Sequence, residues 1–299
     1  MPSAKTIKRR MASVTTTKKI MKAMNMVAAS KLQKDKARLE AARLYYGAAK
    51  AMVAALKRSE QALRSPFFRI ESEHKPKSAA YLIITGDRGL CGSYNVNLCD
   101  AAMNHIEARP EGMDVKLAGV GLKGSDWFRQ RGREYLVRFG DVLETAFYED
   151  AERIAGYLKD LYLTGQADEI YVAYSRYRSA LTHEPCVDRL LPIAPDTGTG
   201  GTLSAFNDVM RAHDMRFDPD LPFFLERAVP VWLSAFVYTA LLESSACEQA
   251  ARMVSMDTAV NNAGEIITKL TRMHNRGRQA AITQEISELV SSTNTLNEK

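Results

Sequence analysis

Apolar residues recur every three or four positions at both ends of the chain. Near the N-terminus, the residues with this spacing are Ile7, Met11, Val14, Met21, Met24, Ala28 and Leu32. Near the C-terminus, alternating steps of three and four connect Met253, Met256, Val260, Ala263, Ile267 and Leu270. Three-and-four spacing is typical of an α-helix, and the second series is the seam of a coiled coil. The pattern therefore predicts a helix with a narrow apolar stripe at each end.

The length of these segments predicts that the two helices pair. From Ser3 to about Leu63 the chain has one glycine and no proline, and a helix of this length would extend on the order of 80 Å. The C-terminal segment runs from about Pro230 to Val290, and Pro230 predicts that its helix starts or kinks there. Two narrow stripes bury each other most simply in an antiparallel coiled coil, provided that the middle of the chain folds as a compact head.

The middle of the chain alternates short apolar runs with helical stretches. The apolar runs predict strands at Ala80–Thr85, Val115–Val120, Tyr135–Phe139 and Ile170–Tyr174. Helices are predicted at Val96–Ala108 and Tyr148–Thr164, and a flexible loop at Ala194–Thr202. This order predicts a largely parallel sheet in a Rossmann-like α/β domain. The predicted organisation is an N-terminal helix at 1–63, a central domain at 64–225 and a C-terminal helix at 226–299.

Composition narrows the class of protein. The chain has 299 residues, 46% hydrophobic and 25% charged, which is ordinary for a soluble protein. The longest apolar stretch, Val229–Leu242, is too short to span a bilayer and contains a proline. No apolar segment of the secretory type follows the charged N-terminus. The four cysteines are widely scattered, which favours reduced thiols over a disulfide framework or structural zinc.

Positive charge is concentrated at the N-terminus. Residues 1–50 contain thirteen Lys and Arg against two acidic residues, so they carry +11, and the other 249 residues carry −5 within the net charge of +6. Such a block favours an acidic partner surface, which can be nucleic acid, anionic lipid or an acidic protein. For the basic N-terminal helix the two candidates are nucleic acid and acidic protein loops. Residues 1–44 contain no Phe, Tyr or Trp for stacking on bases, but charge alone does not separate the two partners.

Two glycine-rich stretches are candidate ligand sites. Gly119, Gly121 and Gly124 match G-x-G-x-x-G after a predicted strand, with Asp141 at a plausible distance for a ribose contact. The match follows the second strand, however, and the helix after it is short, so a tight strand-to-helix turn is favoured over a dinucleotide site. The other stretch, Gly86–Ser93, lacks the lysine of a P-loop and predicts an exposed, sharply turned contact loop. The five histidines are scattered, and no catalytic group emerges.

Three motifs carry a resemblance to a known family. Lys19–Lys31 (KIMKAMNMVAASK), Asp87–Gly92 (DRGLCG) and a C-terminal pair, Glu248–Met253 (EQAARM) with Asn275–Ile286 (NRGRQAAITQEI), occur in this order. The sequence resembles the gamma subunits of F-type ATP synthases. The resemblance spans the chain, although residues 110–225 match mainly in organisation. The tail Ser291–Lys299 lacks the small-residue ending usual in that family.

The resemblance implies a rotor subunit that carries no catalytic site or cofactor of its own. Its terminal helices would turn inside a ring of three alpha and three beta subunits and couple proton translocation to ATP synthesis or hydrolysis. The implied partners also include the epsilon subunit and the membrane c-ring, without nucleic acid. The implied location is the cytoplasmic face of the bacterial inner membrane, peripheral through the complex.

The resemblance also implies which residues contact other subunits. Arg278, Gln279 and Thr283 match residues that contact a beta-subunit loop, and the glycine loop matches one that approaches the acidic beta lever. The position of Met24 matches one important for coupling. The full set of implied contact residues is Lys19, Lys22, Met24, Lys31, Asp87, Arg88, Cys91, Arg252, Arg278, Gln279, Thr283 and Glu285. The rival functions are a basic coiled-coil nucleic-acid-binding protein and a nucleotide-dependent oxidoreductase.

Overall fold

The computed structural model describes residues 4–56, 65–68, 76–193 and 221–297, without the side chains of residues 4, 55, 221–222 and 288–297. Its long helices are α1, Ala4–Leu56, and α6, Leu221–Asn297. The shorter helices are α2 (Tyr94–Glu107), α3 (Leu122–Arg129), α4 (Val142–Thr145) and α5 (Tyr148–Leu163). The strands are β1 (Ser78–Ile84), β2 (Asp114–Val120), β3 (Val137–Phe139), β4 (Glu169–Tyr177) and β5 (His183–Leu191). The loop predicted at Ala194–Thr202 lies outside the described residues.

The chain forms two compact units. Unit 1 consists of Met1–Ala28 and Arg252–Lys299, and unit 2 consists of Ala29–Ala251. Both long helices therefore contribute to each unit. The three-part division expected from the sequence concerns segments of the chain, and it stays a prediction.

Unit 1 is the antiparallel helix pair expected from the apolar spacing. The Asn25 side-chain amide donates to the carbonyl of Met253 at 2.8 Å, and the Thr271 hydroxyl lies 3.3 Å from the Met11 sulfur. Residue numbers rise along α1 as they fall along α6, so the two helices run in opposite directions. Seam positions such as Met256 and Ala263 are buried. Beyond His274, each side chain described up to residue 287 is exposed.

Unit 2 is built on a five-stranded sheet in the order β3-β2-β1-β4-β5. Strands β1 to β4 pair in parallel, as predicted, with Tyr81 opposite both Leu117 and Tyr171. Strand β5 pairs antiparallel with β4 and was missed in the sequence. One face of the sheet is covered by α2 and α3, which bury Leu98 and Phe128 against β1.

The middle of α6 is buried around its whole circumference. From Trp232 to Ala251 every residue except Tyr238 is buried, and a helix that is buried all round belongs to a core. An 18-residue window within Phe223–Ser287 is long and apolar enough to cross a membrane, contrary to the sequence expectation, but 72% of it is buried inside the protein. Core helices of soluble proteins meet the same criterion, so this is weak evidence for a span.

Helix α6 begins earlier than predicted. It starts at Leu221 and continues through Pro230, so the helix does not start at Pro230, and the alternative, a kink there, stays a prediction. Pro222 is the second residue of the helix, and proline is favoured in the first helical turn because the amide hydrogens there have no partner within the helix.

The G-x-G-x-x-G stretch is a packing motif, as the sequence favoured. A Cβ on Gly119 would lie 1.9 Å from the Tyr135 ring, and one on Gly121 would lie 2.0 Å from the carbonyl oxygen of Thr85. The Gly124 amide donates to the Thr85 hydroxyl at 2.9 Å. Gly121 also has a φ of +87°, which favours glycine. The glycines let α3 turn closely over the end of β1, and protein atoms fill the space beside them.

A pair of glycine substitutions tests this packing together with the backbone conformation of Gly121, whose φ of 87° and ψ of 153° favour glycine. Gly121 and Gly112 have φ values of +87° and +83°, but a Cβ on Gly112 would meet nothing within 4 Å. We expect Gly112→Ala to lower the free energy of unfolding by about 1 kcal/mol. Gly121→Ala should cost about 1–3 kcal/mol more, because backbone atoms must move. If urea denaturation showed that both variants lose the same free energy of unfolding, the packing role of Gly121 would be contradicted.

Candidate functional site

The loop after β1 is held by hydrogen bonds to neighbouring helices and exposes Arg88 to solvent. The Gly86 amide donates to the Asn95 side chain at 2.8 Å, and the Asp87 carboxylate accepts the Leu122 amide, at the start of α3, at 3.0 Å. Cys91 is buried, and the Asn95 amide group lies 3.2 Å from its sulfur. The Arg88 side chain is 77% exposed. Of the three contact residues predicted in this loop, Asp87 and Cys91 hold its shape, and Arg88 reaches solvent.

Helix α6 fills the place where open α/β sheets usually bind ligands. That place is the crevice at the carboxyl ends of the strands where the strand order reverses, here between β1 and β4. A Cβ on Gly86, just after β1, would lie 2.5 Å from a carboxylate oxygen of Glu248 in α6. The Tyr94 hydroxyl donates to the carbonyl of Ser244 at 3.1 Å, and the Cys247 thiol lies 3.4 Å from the carbonyl of Ser175. The crevice is occupied by the chain itself.

A charged network joins α1 and α6 to the end of β4. Arg43 contacts a carboxylate oxygen of Glu243 at 2.8 Å and donates to the carbonyl of Tyr177 at 3.0 Å. The Tyr177 amide donates to the other Glu243 oxygen at 3.3 Å. The Glu243 side chain is only 8% exposed, and a buried carboxylate needs such partners because its desolvation is costly.

A cleft of about 350 Å³ between α1, α4 and α6 is lined by charged side chains, among them Lys31, Lys34, Asp35, Arg38 and Glu144. The two oxygens of Glu144 face different cations. One lies 2.7 Å from the Lys31 ammonium, and the other lies 3.5 Å from the Arg88 guanidinium. The structure thus brings together two residues that were predicted, separately, to contact other subunits.

Arg38 holds the short helix that carries Glu144. Its guanidinium donates to the carbonyls of Thr145, at 2.8 Å, and Ala146, which lie at the end of α4. A cation beside the free carbonyls of a helix end is favourable for hydrogen bonding and for the helix dipole. Val142 and Leu143 are buried beneath the turn.

Asp35 is a buried acid at the floor of the cleft. The Ser245 hydroxyl donates to its carboxylate at 2.7 Å. Burial raises the pKa of Asp35 above its ordinary value, although the Ser245 hydrogen bond and the charges of Arg38, Lys31 and Lys34 act in the opposite direction. Desolvation is the larger effect, so the folded protein binds a proton here more readily than the unfolded chain does.

The predicted contact residues of unit 1 lie along its surface. Lys19 and Lys22 are exposed, and no ion pair joins them to another residue that the structure describes. Met24 and Arg252 are half-buried at the helix pair.

Four predicted contact residues lie on the exposed end of α6. These are Arg278, Gln279, Thr283 and Glu285. The Thr283 hydroxyl donates to the carbonyl of Gln279, one turn earlier in its own helix, at 2.9 Å. Ile282 and Ile286 lie one turn apart among these residues and are 47% and 55% exposed. This end of α6 therefore presents apolar and polar side chains together.

Sequence reasoning missed the internal partners of the contact residues. Glu144, Arg38, Asp35 and Glu248 were not singled out as site residues. Asp35 and Arg38 lie one turn apart on α1, but Glu144 and Glu248 lie far from them in the chain, and no local spacing indicates that these segments meet. Among the described parts of the chain, no group of three or more His, Cys, Asp or Glu side chains has a geometry that could hold a metal ion.

Comparison with known proteins gives a match along nearly the whole chain. A family model described as ATP synthase matches residues 3–296. The chain is 37% identical over 290 residues to the ATP synthase gamma chain of Alkaliphilus metalliredigens, covering 97% of both chains. It is 34% identical over 302 residues to that of Chlorobaculum parvum, covering 100% of both.

Solved structures share the fold. The central stalk of the Tetrahymena thermophila mitochondrial ATP synthase matches with a TM-score of 0.60 and 26% identity, over 80% of this chain and 99% of that one. A chain of the Euglena gracilis mitochondrial ATP synthase matches with a TM-score of 0.67 over 98% of this chain and 94% of that one, at 16% identity. The second likeness concerns the fold alone.

The buried acid makes stability depend on pH. Because burial raises the folded-state pKa of Asp35 above its unfolded value of about 3.8, its stabilising contribution is complete below that pH and is lost as pH rises through the folded pKa. Asp35→Asn keeps an acceptor for Ser245 and does not titrate. We expect the free energy of unfolding of the wild type, minus that of the variant, to decrease as the pH rises above about 4.

The control for this measurement is Asp100→Asn, which makes the same chemical change at an exposed carboxylate. A difference for Asp35→Asn that stays constant or increases with pH in urea denaturation would contradict the assignment.

Proposed function

This chain belongs to the ATP synthase gamma-chain family, and we propose that it acts as the non-catalytic rotor of a bacterial enzyme. It turns inside a ring of three alpha and three beta subunits and couples proton translocation to ATP synthesis or hydrolysis. The observation that carries the proposal is the match to gamma chains over nearly the full length of both partners. The matches give no support to a nucleic-acid-binding function.

The non-catalytic role is supported by the way the sheet is closed. The crevice between β1 and β4 holds Glu248 and Ser244 of α6 in place of a ligand. The glycines that resemble a dinucleotide motif are in contact with Thr85 and Tyr135. On this proposal the partner subunits catalyse ATP synthesis or hydrolysis. The gamma chain changes their conformations as it rotates among them.

The proposed contacts are exchangeable ones. About 1,000 Å² of apolar surface buried in one orientation would give roughly 25 kcal/mol of gross stabilisation and would resist rotation. Exposed ion pairs contribute only about 0.2–1 kcal/mol each. The N-terminal helix carries exposed lysines such as Lys19 and Lys22, and these can move from one acidic partner surface to the next. Charged contacts therefore guide the rotor without locking it.

We assign different contacts to two groups of residues. The cations Lys19, Lys22, Lys31 and Arg88 are proposed to meet acidic segments of the beta subunits. Arg278, Gln279 and Thr283, on the exposed end of α6, are proposed to meet a loop of the beta subunit, and Glu285 lies on the same end. Met24 and Arg252 are proposed as contacts at the other end of unit 1, where Asn25 bonds with Met253.

The proposed location is the cytoplasmic face of the inner membrane. There the chain would connect to the c-ring and the epsilon subunit. The central stalk of the Tetrahymena enzyme is described together with its c-ring, which supports an equivalent place for this chain.

Charge reversal in a reconstituted complex tests the proposal. We expect the wild-type chain to assemble with its alpha and beta subunits and to give an ATPase whose activity depends on it. Lys19→Glu with Lys22→Glu turns two attractive contacts into repulsive ones. We expect this to reduce the affinity of the chain for the ring by on the order of tenfold at low salt.

The matched control is Lys36→Glu with Lys50→Glu, which makes the same charge change at exposed positions of α1. It should have a clearly smaller effect on affinity. If the wild type forms no complex with folded partners, the rotor function is wrong. If the two double variants behave alike, the function stands and the assignment of contacts to Lys19 and Lys22 is wrong.

A further inference from the structure

One carboxylate, Glu144, faces two cations that come from different parts of the fold. The Lys31 ammonium of α1 lies 2.7 Å from one oxygen, and the Arg88 guanidinium of the loop after β1 lies 3.5 Å from the other. The side chains of Lys31, Glu144 and Arg88 are 42%, 49% and 77% exposed. All three groups can therefore be reached by a partner protein, and the pairs between them are open to exchange.

The position of Glu144 is fixed by the turn that carries it. Helix α4 has only four residues, Val142–Thr145, and the residues on either side, Asp141 and Ala146, have positive φ values of 55° and 44°. Residues other than glycine adopt this conformation only where the surroundings require it. Here the requirements are the burial of Val142 and Ala146 and the hydrogen bonds from Arg38 to the end of the helix.

We propose that Glu144 is an internal competitor for the cations through which this rotor meets its acidic partners. The proposal rests on the rotor function above, in which Lys31 and Arg88 bind acidic segments of the beta subunits. In each orientation an incoming carboxylate would have to displace Glu144 from these cations. Glu144 also repels that carboxylate, so both effects weaken the contact.

Such a competitor suits a rotating contact. When a partner carboxylate leaves, Lys31 and Arg88 return to Glu144 and are not left unpaired, so the bound and released states differ less in energy. Exposed ion pairs are individually weak, and an exchange between two weak pairs has a small net cost in either direction. Glu144 is therefore a positioning residue that sets the strength of the contact.

The test is Glu144→Gln in the complex reconstituted with alpha and beta subunits. Removing the competitor should strengthen binding of the chain to the ring by about two- to fivefold at low salt, and added salt should reduce the difference. Glu149→Gln is the matched control, because Glu149 is exposed nearby and the substitution makes the same change in net charge. It should change the affinity much less. Circular dichroism and thermal unfolding check that both variants are folded.

The sign of the effect separates competition from a merely structural role. If Glu144 only supported the fold, Glu144→Gln would weaken binding or leave it unchanged, and either result would overturn the proposal. Competition also predicts that the gain disappears when Lys31→Gln and Arg88→Gln are already present. Glu144→Asp, whose shorter side chain cannot reach both cations, is a second variant and should give an intermediate gain.

Failure of this proposal differs from failure of the rotor function. If the wild-type chain forms no complex, the rotor function itself is wrong. If the complex forms and Glu144→Gln binds like the wild type or like Glu149→Gln, only the competitor role is wrong.

Discussion

The packing of α6 against the sheet and against α1 is the constraint on which unit 2 depends. Between Trp232 and Ala251 this helix is buried on nearly every side. It contacts the loop after β1, the end of β4 and helix α1. Glu248 lies against the loop after β1, Glu243 bonds with Arg43 and the end of β4, and Ser245 donates to Asp35 of α1. Small side chains such as Ser244 and Ala246 allow this close approach. An α/β sheet that could have held a nucleotide is thereby closed by its own chain.

The positions of the proposed contact residues in unit 2 follow from the same packing. Because α6 fills the crevice, the loop after β1 packs against protein atoms there. Within this loop Asp87 and Cys91 stabilise the loop conformation, and the Arg88 side chain is exposed to solvent. Lys31 and Arg88 converge on Glu144 because α1 and this loop both lie beside α4. In unit 1 the narrow apolar seam uses few side chains, so most of the helix surface is left for charged residues.

The sequence predicted what local patterns control. Both long helices and the seam from Met253 to Leu270 followed from apolar spacing and helix-forming composition, and strands β1 to β4 followed from short apolar runs. Strand β5 was not predicted because it contains charged residues and Pro185. A proline argues against a strand except at the edge of a sheet, and β5 is an edge strand. The start of α6 lies at Leu221 beside Pro222, before the predicted segment 226–299, because Pro230 predicts either a start or a kink and lies inside the helix. The Glu144 pairs were beyond prediction, since residues 31, 88 and 144 meet only after long-range folding.

The most direct test of the account is to watch the chain turn. Leu181, in the β4–β5 turn, is 79% exposed, so a Leu181→Cys variant with Cys186→Ser can carry a visible probe. With the alpha and beta subunits held on a surface and ATP supplied, the account predicts rotation of the probe in one direction, with three pauses per turn that reflect three beta subunits. ATP hydrolysis by an intact complex whose attached probe stays still would contradict the claim that this chain is the rotor.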